Sequence, residues 1–244
     1  MKQKKIMEIF DNTLVELKTY LKEKSEKATV FQCNDKANWE KDEKTNIIME
    51  NDSAIELGHR TKESVYFLVW SEKNEHISDG KITVIGKDIT DIKEGKCSFG
   101  EIILIKGHGF TEENAFDRHL ELDLVKRRMN LKGYMIRAVP QRMREWSRIS
   151  KDAVKKGFSF ETLGSELIKK YKEIEYVDDV EVIFITSNDE DIKELLPVGT
   201  KVTKSVEAMN KMFENLQYDC KSCEFEDVCD EFGELKQMHK KMQK

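Results

Sequence analysis

The sequence contains only two prolines in 244 residues, which excludes a proline-rich linker between domains. It has no run approaching the roughly 18 to 20 apolar residues that a membrane-spanning helix needs. Its basic start is interrupted by acidic and polar residues before the apolar core of a signal peptide can form. We therefore predict a cytoplasmic protein with no membrane partner.

The chain also lacks an excess of positive charge. Its net charge is −5 at pH 7, whereas binding to nucleic acid phosphates requires a basic surface. We therefore exclude nucleic acid as its main partner. A glycine-rich phosphate loop, a Ser–His–Asp constellation and an HExxH motif are all missing, so the sequence does not identify catalytic residues.

Four short segments rich in β-branched and aromatic residues predict buried strands. They are residues 65–70, 81–86, 101–106 and 179–186. Helical patterns alternate with them in a single block without internal repeats. We predict one α+β (mixed α/β) domain over residues 29–200, in which a mixed sheet is flanked by helices.

Helical extensions are predicted at both ends, over residues 1–28 and 201–244. The first is amphipathic, because apolar residues recur at steps of three and four. These residues are Ile6, Phe10, Leu14, Leu17 and Leu21. The apolar stripe is explained either by docking to a partner or a second copy of the chain, or by packing on the domain's own sheet.

Further local signals predict where other helices begin and end. Ser150 and Ser159 are predicted N-caps of two successive helices, and residues 111–129 read as another helix. A short helix-like piece is predicted to end at Gly58. Pro197 is predicted to end a short helix, with a separate helix beginning at residue 203.

The C-terminal extension carries a cysteine element, Cys220-x2-Cys223-x5-Cys229. A C-x2-C pair places two thiolates on one turn, where they reach one metal ion or two corners of an iron–sulfur cluster. An odd number of cysteines in a reducing compartment does not suggest a disulfide framework. The element therefore predicts a metal or cluster site.

A fourth ligand has to come from outside this element. Cys33, Cys97 and His239 are the candidates, and we take Cys33 as the fourth ligand of an iron–sulfur site. Structural zinc held by three cysteines and His239 is an alternative. In the third interpretation no metal is bound, and the thiols pack as small apolar groups under a helix.

Four stretches of the sequence resemble the central domain of the CO-methylating acetyl-CoA synthase. This protein is the beta subunit of the carbon monoxide dehydrogenase/acetyl-CoA synthase (acetyl-CoA decarbonylase/synthase) complex. The stretches occur in the family's order and with similar spacing. They are "NIIMENDSAIELG" (46–58), "DGKITVIGKDITDIKEGK" (79–96), "WSRISKDAVKKGF" (146–158) and "DVEVIFITSNDEDIKELLP" (179–197).

The resemblance implies a role for the cysteine element. In the family, an α+β domain is followed by the domain of the A-cluster, a [4Fe–4S] cubane bridged to a dinuclear nickel centre. "YDCKSC" (218–223) is similar to the family's first cubane ligands, which implies that Cys220 and Cys223 bind a [4Fe–4S] cluster. Cys229 comes earlier than the family's third cysteine, and no fourth follows. We therefore expect no complete nickel A-cluster from this sequence alone.

The resemblance also implies binding of coenzyme A through a tryptophan and arginines. Trp146 and Arg148 match the family's W-x-R-I-S stretch, and Arg142 and Arg144 precede it. An indole or guanidinium face can stack on adenine, and guanidinium groups bind phosphates through paired hydrogen bonds. Alternatively, Trp146 is a core aromatic residue and the arginines lie on a solvated face.

We predict a protein similar to this beta subunit that binds an iron–sulfur cluster and serves anaerobic one-carbon and acetyl-CoA metabolism. If it is an enzyme, it is an acyltransferase that acts with another subunit. Two alternatives stay open: a non-enzymatic scaffold or assembly module with structural zinc or no metal, and a coenzyme A-binding protein. The predicted partners are a subunit of the dehydrogenase/synthase complex or a second copy bound through the terminal helices.

Overall fold

The fold is described from a computed structural model that covers residues 3–213, except 37, 43–46, 49–53, 74, 76, 94, 112 and 138–143. In this part of the chain there are five α-helices and nine strands. The helices are α1 (Gln3–Glu23), α2 (Ala115–Val125), α3 (Lys151–Lys155), α4 (Phe160–Lys172) and α5 (Asp189–Phe213). The strands are β1 (Ala28–Gln32), β2 (Ala54–Leu57), β3 (Ser64–Ser71), β4 (Lys81–Ile85), β5 (Lys96–Cys97), β6 (Phe99–Gly107), β7 (Tyr134–Arg137), β8 (Trp146–Ser150) and β9 (Val177–Ile185).

A five-stranded mixed sheet, in the order β1-β4-β9-β6-β3, forms the centre of the fold. The β4–β9 and β3–β6 pairs are parallel, and the β1–β4 and β6–β9 pairs are antiparallel. The four predicted strands are β3, β4, β6 and β9, and the predicted α+β class is confirmed. The apolar runs gave the correct strands because these strands are buried nearly throughout.

Helices cover both faces of this sheet. Successive residues of a strand point to opposite faces. On β9, Phe184 stacks on Phe160 of α4 at a centroid distance of 4.6 Å, whereas Glu181 binds Lys18 of α1 at 2.6 Å. The helices α4 and α1 therefore lie on opposite faces, and α5 joins α1 over β3.

The apolar stripe of α1 packs on the domain's own sheet, which is the second of the two explanations given for it. Phe10, Leu14 and Leu17 are completely buried. Polar contacts also hold this helix: Asp11 accepts a hydrogen bond from the Ser71 hydroxyl at 2.6 Å, and Lys18 contacts Glu181 at 2.6 Å. Association of two copies through the terminal helices stays a prediction.

The smaller sheet has four strands in the order β5-β2-β8-β7. The prediction of a helix-like piece ending at Gly58 was wrong, because residues 54–57 form β2. This strand pairs with β5 on one side and β8 on the other, and all four of its residues are buried. Pairing on both sides decides the conformation of so short a segment, whatever its local propensity.

The predicted helix end at Pro197 was also wrong. The helix α5 runs without interruption from Asp189 to Phe213 with Pro197 inside it. A proline in a helix removes one backbone hydrogen bond, to the carbonyl four residues earlier. Pro197 and Lys193 both lie on the exposed side of α5, so water can satisfy that carbonyl while the opposite side packs on β3.

Other local signals were correct. The Ser150 hydroxyl accepts a hydrogen bond from the Ala153 amide at 3.1 Å, and the Ser159 hydroxyl accepts one from the Thr162 amide at 3.2 Å. Both serines are therefore N-caps, of α3 and α4. The helix predicted over residues 111–129 is α2 followed by a single 3-10 turn. None of the helices described is long and apolar enough to cross a bilayer.

Candidate functional site

Three of the four residues predicted to bind coenzyme A lie together around β8. Trp146 and Arg148 belong to β8, and Arg144 precedes it by two residues. Trp146 and Arg148 are two positions apart in the strand and so share one face. The Arg148 guanidinium carbon lies 5.6 Å from the centre of the Trp146 ring. Arg142 lies outside the described residues.

Glu56 of β2 supports this pair from the neighbouring strand. It lies directly opposite Arg148 in the antiparallel β2–β8 ladder. Its carboxylate accepts hydrogen bonds from the Trp146 indole N–H and from Arg148 Nε at 2.5 Å. Arg148 is only 4% exposed and also donates from Nη1 to the Ile48 carbonyl at 3.0 Å. Glu56 and Arg148 therefore compensate each other's charge and fix the indole in place.

The more accessible part of this region is formed by Trp146 and Arg144. Trp146 is half-buried, with the His59 ring edge-on to it at 4.9 Å. Arg144 is partly exposed and contacts Glu63 at 3.3 Å. An aromatic face and a guanidinium at a surface can take an adenine and a phosphate. Binding of coenzyme A by these residues stays a prediction.

Of the four predicted metal ligands, only Cys33 lies in the described part of the chain; Cys220, Cys223 and Cys229 lie outside it. Cys33 follows β1 and is half-buried, with its sulfur 3.7 Å from an Asp35 carboxylate oxygen and 3.9 Å from the Ser165 carbonyl. Burial, and secondarily Asp35, raise the pKa of its thiol. Within the described residues, no three His, Cys, Asp or Glu side chains are grouped so that they could hold a metal ion.

The structure also shows a buried ion cluster that sequence reasoning missed. Lys126, which follows α2, contacts Glu101 of β6 at 3.1 Å and also contacts Glu145, which precedes β8. All three side chains are at least 95% buried. The Lys126 ammonium lies 3.5 Å from the centre of the Tyr66 ring. We call these three charged residues the buried ion cluster; they join the larger sheet to the smaller one.

Burial has a large effect on the acidity of this cluster. Removal from water, and secondarily the neighbouring Glu145, raise the pKa of Glu101 from the ordinary 4.5 to about 8, although Lys126 acts in the opposite direction. The only signal in the sequence was a glutamate at the start of a mostly apolar strand. Because it did not identify the partner, the sequence could not have predicted the cluster.

The fold and this region define the class of protein: a two-sheet α+β domain in which a tryptophan and two arginines share one strand region, each arginine balanced by a glutamate. The profile of the family described as CO dehydrogenase/acetyl-CoA synthase complex beta subunit matches residues 41–191, more than half of the chain. The chain therefore belongs to this family, as its resemblance implied. The matched range contains Glu56, Glu63, Arg144, Trp146 and Arg148, which we call the Trp146 region.

Individual relatives agree with the family. The carbon monoxide dehydrogenase/acetyl-CoA synthase subunit alpha of Moorella thermoacetica is 35% identical over 164 residues, which is 64% of this chain and 21% of the relative. The acetyl-CoA decarbonylase/synthase complex subunit beta of Archaeoglobus fulgidus is 28% identical over 190 residues, 72% of this chain and 34% of the relative. The chain thus spans only about a fifth to a third of the length of these relatives.

Proposed function

We propose that this chain is a coenzyme A-binding subunit of an assembly of the acetyl-CoA decarbonylase/synthase kind, in anaerobic one-carbon and acetyl-CoA metabolism. The observation that carries the proposal is the family match over residues 41–191, because it covers the Trp146 region. The names of the relatives describe subunits of such complexes. Any catalysis belongs to the assembled complex, with acyl transfer as the reaction class.

In the Trp146 region, the buried residues and the more accessible residues have different proposed roles. Arg148 and Glu56 are buried and hold the indole, so they act as positioning residues. Trp146 then offers a ring on which the adenine of coenzyme A can stack, a contact worth about 1–3 kcal/mol in other systems. Arg144 is partly exposed and contacts Glu63. Its guanidinium can leave this carboxylate and bind a phosphate of the ligand, because phosphates and carboxylates accept the same paired, charge-assisted hydrogen bonds.

Replacing Arg144 with glutamine is expected to weaken coenzyme A binding about tenfold, as one charge-assisted contact is lost. Isothermal titration calorimetry on the whole chain, with coenzyme A up to millimolar concentration, measures this. Arg127→Gln is a matched control, because Arg127 is also an accessible arginine 3.3 Å from a carboxylate, that of Asp123. Wild-type protein without heat of binding would refute the proposal, and so would equal losses in the two variants.

The proposed metal centre is a [4Fe–4S] cluster held by Cys220, Cys223, Cys229 and Cys33. The donor set suits it, since thiolates are the usual ligands of such clusters. When bound, the cluster would supply electron-transfer chemistry or a bridge to further metals. Burial raises the pKa of the Cys33 thiol, which disfavours the thiolate as long as no metal is bound. Structural zinc in the same element is the alternative.

Anaerobically purified protein is expected to contain about four iron atoms per chain and to be brown, as thiolate-bound iron–sulfur clusters are. Metal analysis without oxygen measures this, and Cys220→Ser together with Cys223→Ser is expected to remove the iron. Cys97→Ser is the matched control and should leave the iron content unchanged. One zinc and no iron per chain would replace the cluster by a structural zinc site, and neither metal would remove the metal centre altogether.

A further inference from the structure

A small basic pocket lies at one edge of the five-stranded sheet, next to the residues assigned above but lined by different ones. The parallel strands β4 and β9 both end at this edge, and β3 and β6 both begin there. The pocket has a volume of about 230 Å³ and is lined by the loops that flank these strands. The carboxyl ends of neighbouring parallel strands are a common place for ligand binding in mixed sheets.

Four lysines line this pocket, and we call it the lysine pocket. They come from three separate segments: Lys62 precedes β3, Lys87 follows β4, and Lys93 and Lys96 lie between β4 and β6. In the described part of the chain, most other lysines form ion pairs, for example Lys18 with Glu181, but none of these four does. Four lysines without an ion pair at one cavity are unexpected in an acidic protein.

Asp189 is the one acidic side chain among the described residues that line the lysine pocket. Its single negative charge can offset at most one of the four lysines, and its carboxylate is held by hydrogen bonds within the fold. The Ser98 hydroxyl and the Glu63 amide both donate to one of its carboxylate oxygens, the amide at 3.2 Å. The hydrogen bond from Ser98 lowers the pKa of Asp189 most, despite an opposing effect of burial. The lysine pocket therefore keeps a clear excess of positive charge.

The loops around the lysine pocket are fixed to one another. Gly86 has φ = 112°, and a Cβ at this position would lie 2.6 Å from the Ser187 amide nitrogen. Only glycine lets the loop after β4 approach the loop after β9 so closely. The Thr186 hydroxyl then donates to the Lys87 carbonyl at 2.6 Å. These contacts hold the backbone of Lys87 in place without any ligand, which lowers the entropic cost of binding.

The positive end of α5 adds to the same field. Asn188, which also lines the lysine pocket, caps this helix: its side-chain oxygen accepts a hydrogen bond from the Asp191 amide at 2.8 Å. The amino end of a helix carries a partial positive charge. The helix end alone would not define a site, but here it adds to four lysines without an ion pair around a cavity.

We infer that the lysine pocket binds a phosphate or diphosphate group. Its charge favours a multivalent anion, and its volume of about 230 Å³ lies below the roughly 300–1,000 Å³ of pockets that enclose whole drug-sized molecules. The group is therefore either a free inorganic anion or the phosphate-bearing part of a larger ligand. This site does not depend on Trp146 or Arg144, so it extends the proposed function without resting on it.

The register of the smaller sheet shows how a larger ligand could reach both regions. Glu56 of β2 pairs with Lys96 of β5 on one side and with Arg148 of β8 on the other. Residues at paired positions share one face, and adjacent strands lie about 4.8 Å apart. Lys96 and Arg148 are therefore separated by about 10 Å of backbone, which is within the span of a molecule that carries a diphosphate and an adenine.

Calorimetry of the whole chain with inorganic pyrophosphate tests the lysine pocket directly. Wild-type protein is expected to bind pyrophosphate, and Lys62→Gln combined with Lys96→Gln is expected to weaken binding at least tenfold. Lys151→Gln combined with Lys156→Gln is the matched control, since both are exposed lysines that do not line the lysine pocket, and should leave the affinity unchanged. Added salt should weaken binding, because the contact is electrostatic. No binding to wild-type protein, or an equal loss in the control, would overturn the inference.

Competition separates the two sources of the phosphate group. If coenzyme A displaces pyrophosphate and pantetheine does not, the lysine pocket takes the phosphates of the larger ligand. If coenzyme A does not compete, the pocket takes a free anion. If the protein binds pyrophosphate but not coenzyme A, the proposed function alone is refuted. If it binds coenzyme A with the same affinity in the lysine variants and does not bind pyrophosphate, the lysine pocket alone is refuted.

Discussion

Replacing Lys126 with methionine is expected to lower the free energy of unfolding by about 3–5 kcal/mol, the cost found when one partner of a buried ion pair is removed. Lys126 contacts both Glu101 and Glu145. Because the pKa of Glu101 is raised to about 8, Glu101 is mostly protonated at pH 7, and the ion pair that is lost is the one with Glu145. Methionine fills most of the volume of the lysine side chain, so lost packing cannot account for such an effect. Urea unfolding at pH 7, followed by circular dichroism, measures it.

Two further variants separate charge from packing. Lys132→Met removes a lysine whose ion pair with Glu40, at 2.6 Å, is largely exposed, and it should leave the unfolding midpoint unchanged. Adding Glu145→Gln to Lys126→Met should recover part of the lost stability, because the buried carboxylate is removed together with its counter-charge. A loss as large in Lys132→Met as in Lys126→Met would contradict the role assigned to the buried ion cluster.

The pH dependence gives an independent check with a defined sign. The pKa of Glu101 is raised to about 8 in the folded protein from the ordinary 4.5, so the folded state holds this proton more tightly than the unfolded chain. Its contribution to stability is therefore complete below pH 4.5 and is lost as the pH rises to about 8, with a slope of at most ~1.4 kcal/mol per pH unit. Lys126 lowers this pKa, so in Lys126→Met the loss should continue above pH 8.

The sequence predicted those features of the fold that depend on local patterns. The strands β3, β4, β6 and β9 are apolar runs, and the caps at Ser150 and Ser159 are contacts between residues three positions apart. The two wrong predictions both concern tertiary context. Residues 54–57 become a strand because β5 and β8 lie on either side, and α5 continues through Pro197 because the proline lies on its solvent side.

The candidate sites show the same limit. The match to W-x-R-I-S indicated Trp146 and Arg148, but it did not indicate that Glu56 would occupy the paired position on β2 and bind both of them. The buried ion cluster and the lysine pocket are each assembled from segments that are distant in the sequence. No spacing rule connects such segments, because they meet only when the strands are ordered in the sheets.

Arg148→Met is expected to lower the free energy of unfolding by about 3–5 kcal/mol, whereas Arg144→Met should change it by about 1 kcal/mol or less. Both are arginines in the predicted coenzyme A-binding set, and both contact a glutamate. They differ in burial: Arg148 is 4% exposed, and its loss leaves the Glu56 carboxylate with the Trp146 indole as its remaining described donor. Urea unfolding of the two variants under the same conditions measures the difference.

The same pair of variants separates positioning from ligand contact. Arg148→Lys keeps the charge but lacks the planar fork that reaches both Glu56 and the Ile48 carbonyl, so it should restore only part of the stability. If Arg148 holds the indole, its variants should lose stability and coenzyme A affinity together, whereas Arg144→Met should lose affinity with almost no loss of stability. Arg148→Met could instead keep the wild-type unfolding midpoint and lose coenzyme A binding. Arg148 would then contact the ligand itself. A residue that only supports Trp146 also pairs with the buried Glu56 carboxylate, so its removal has to lower stability.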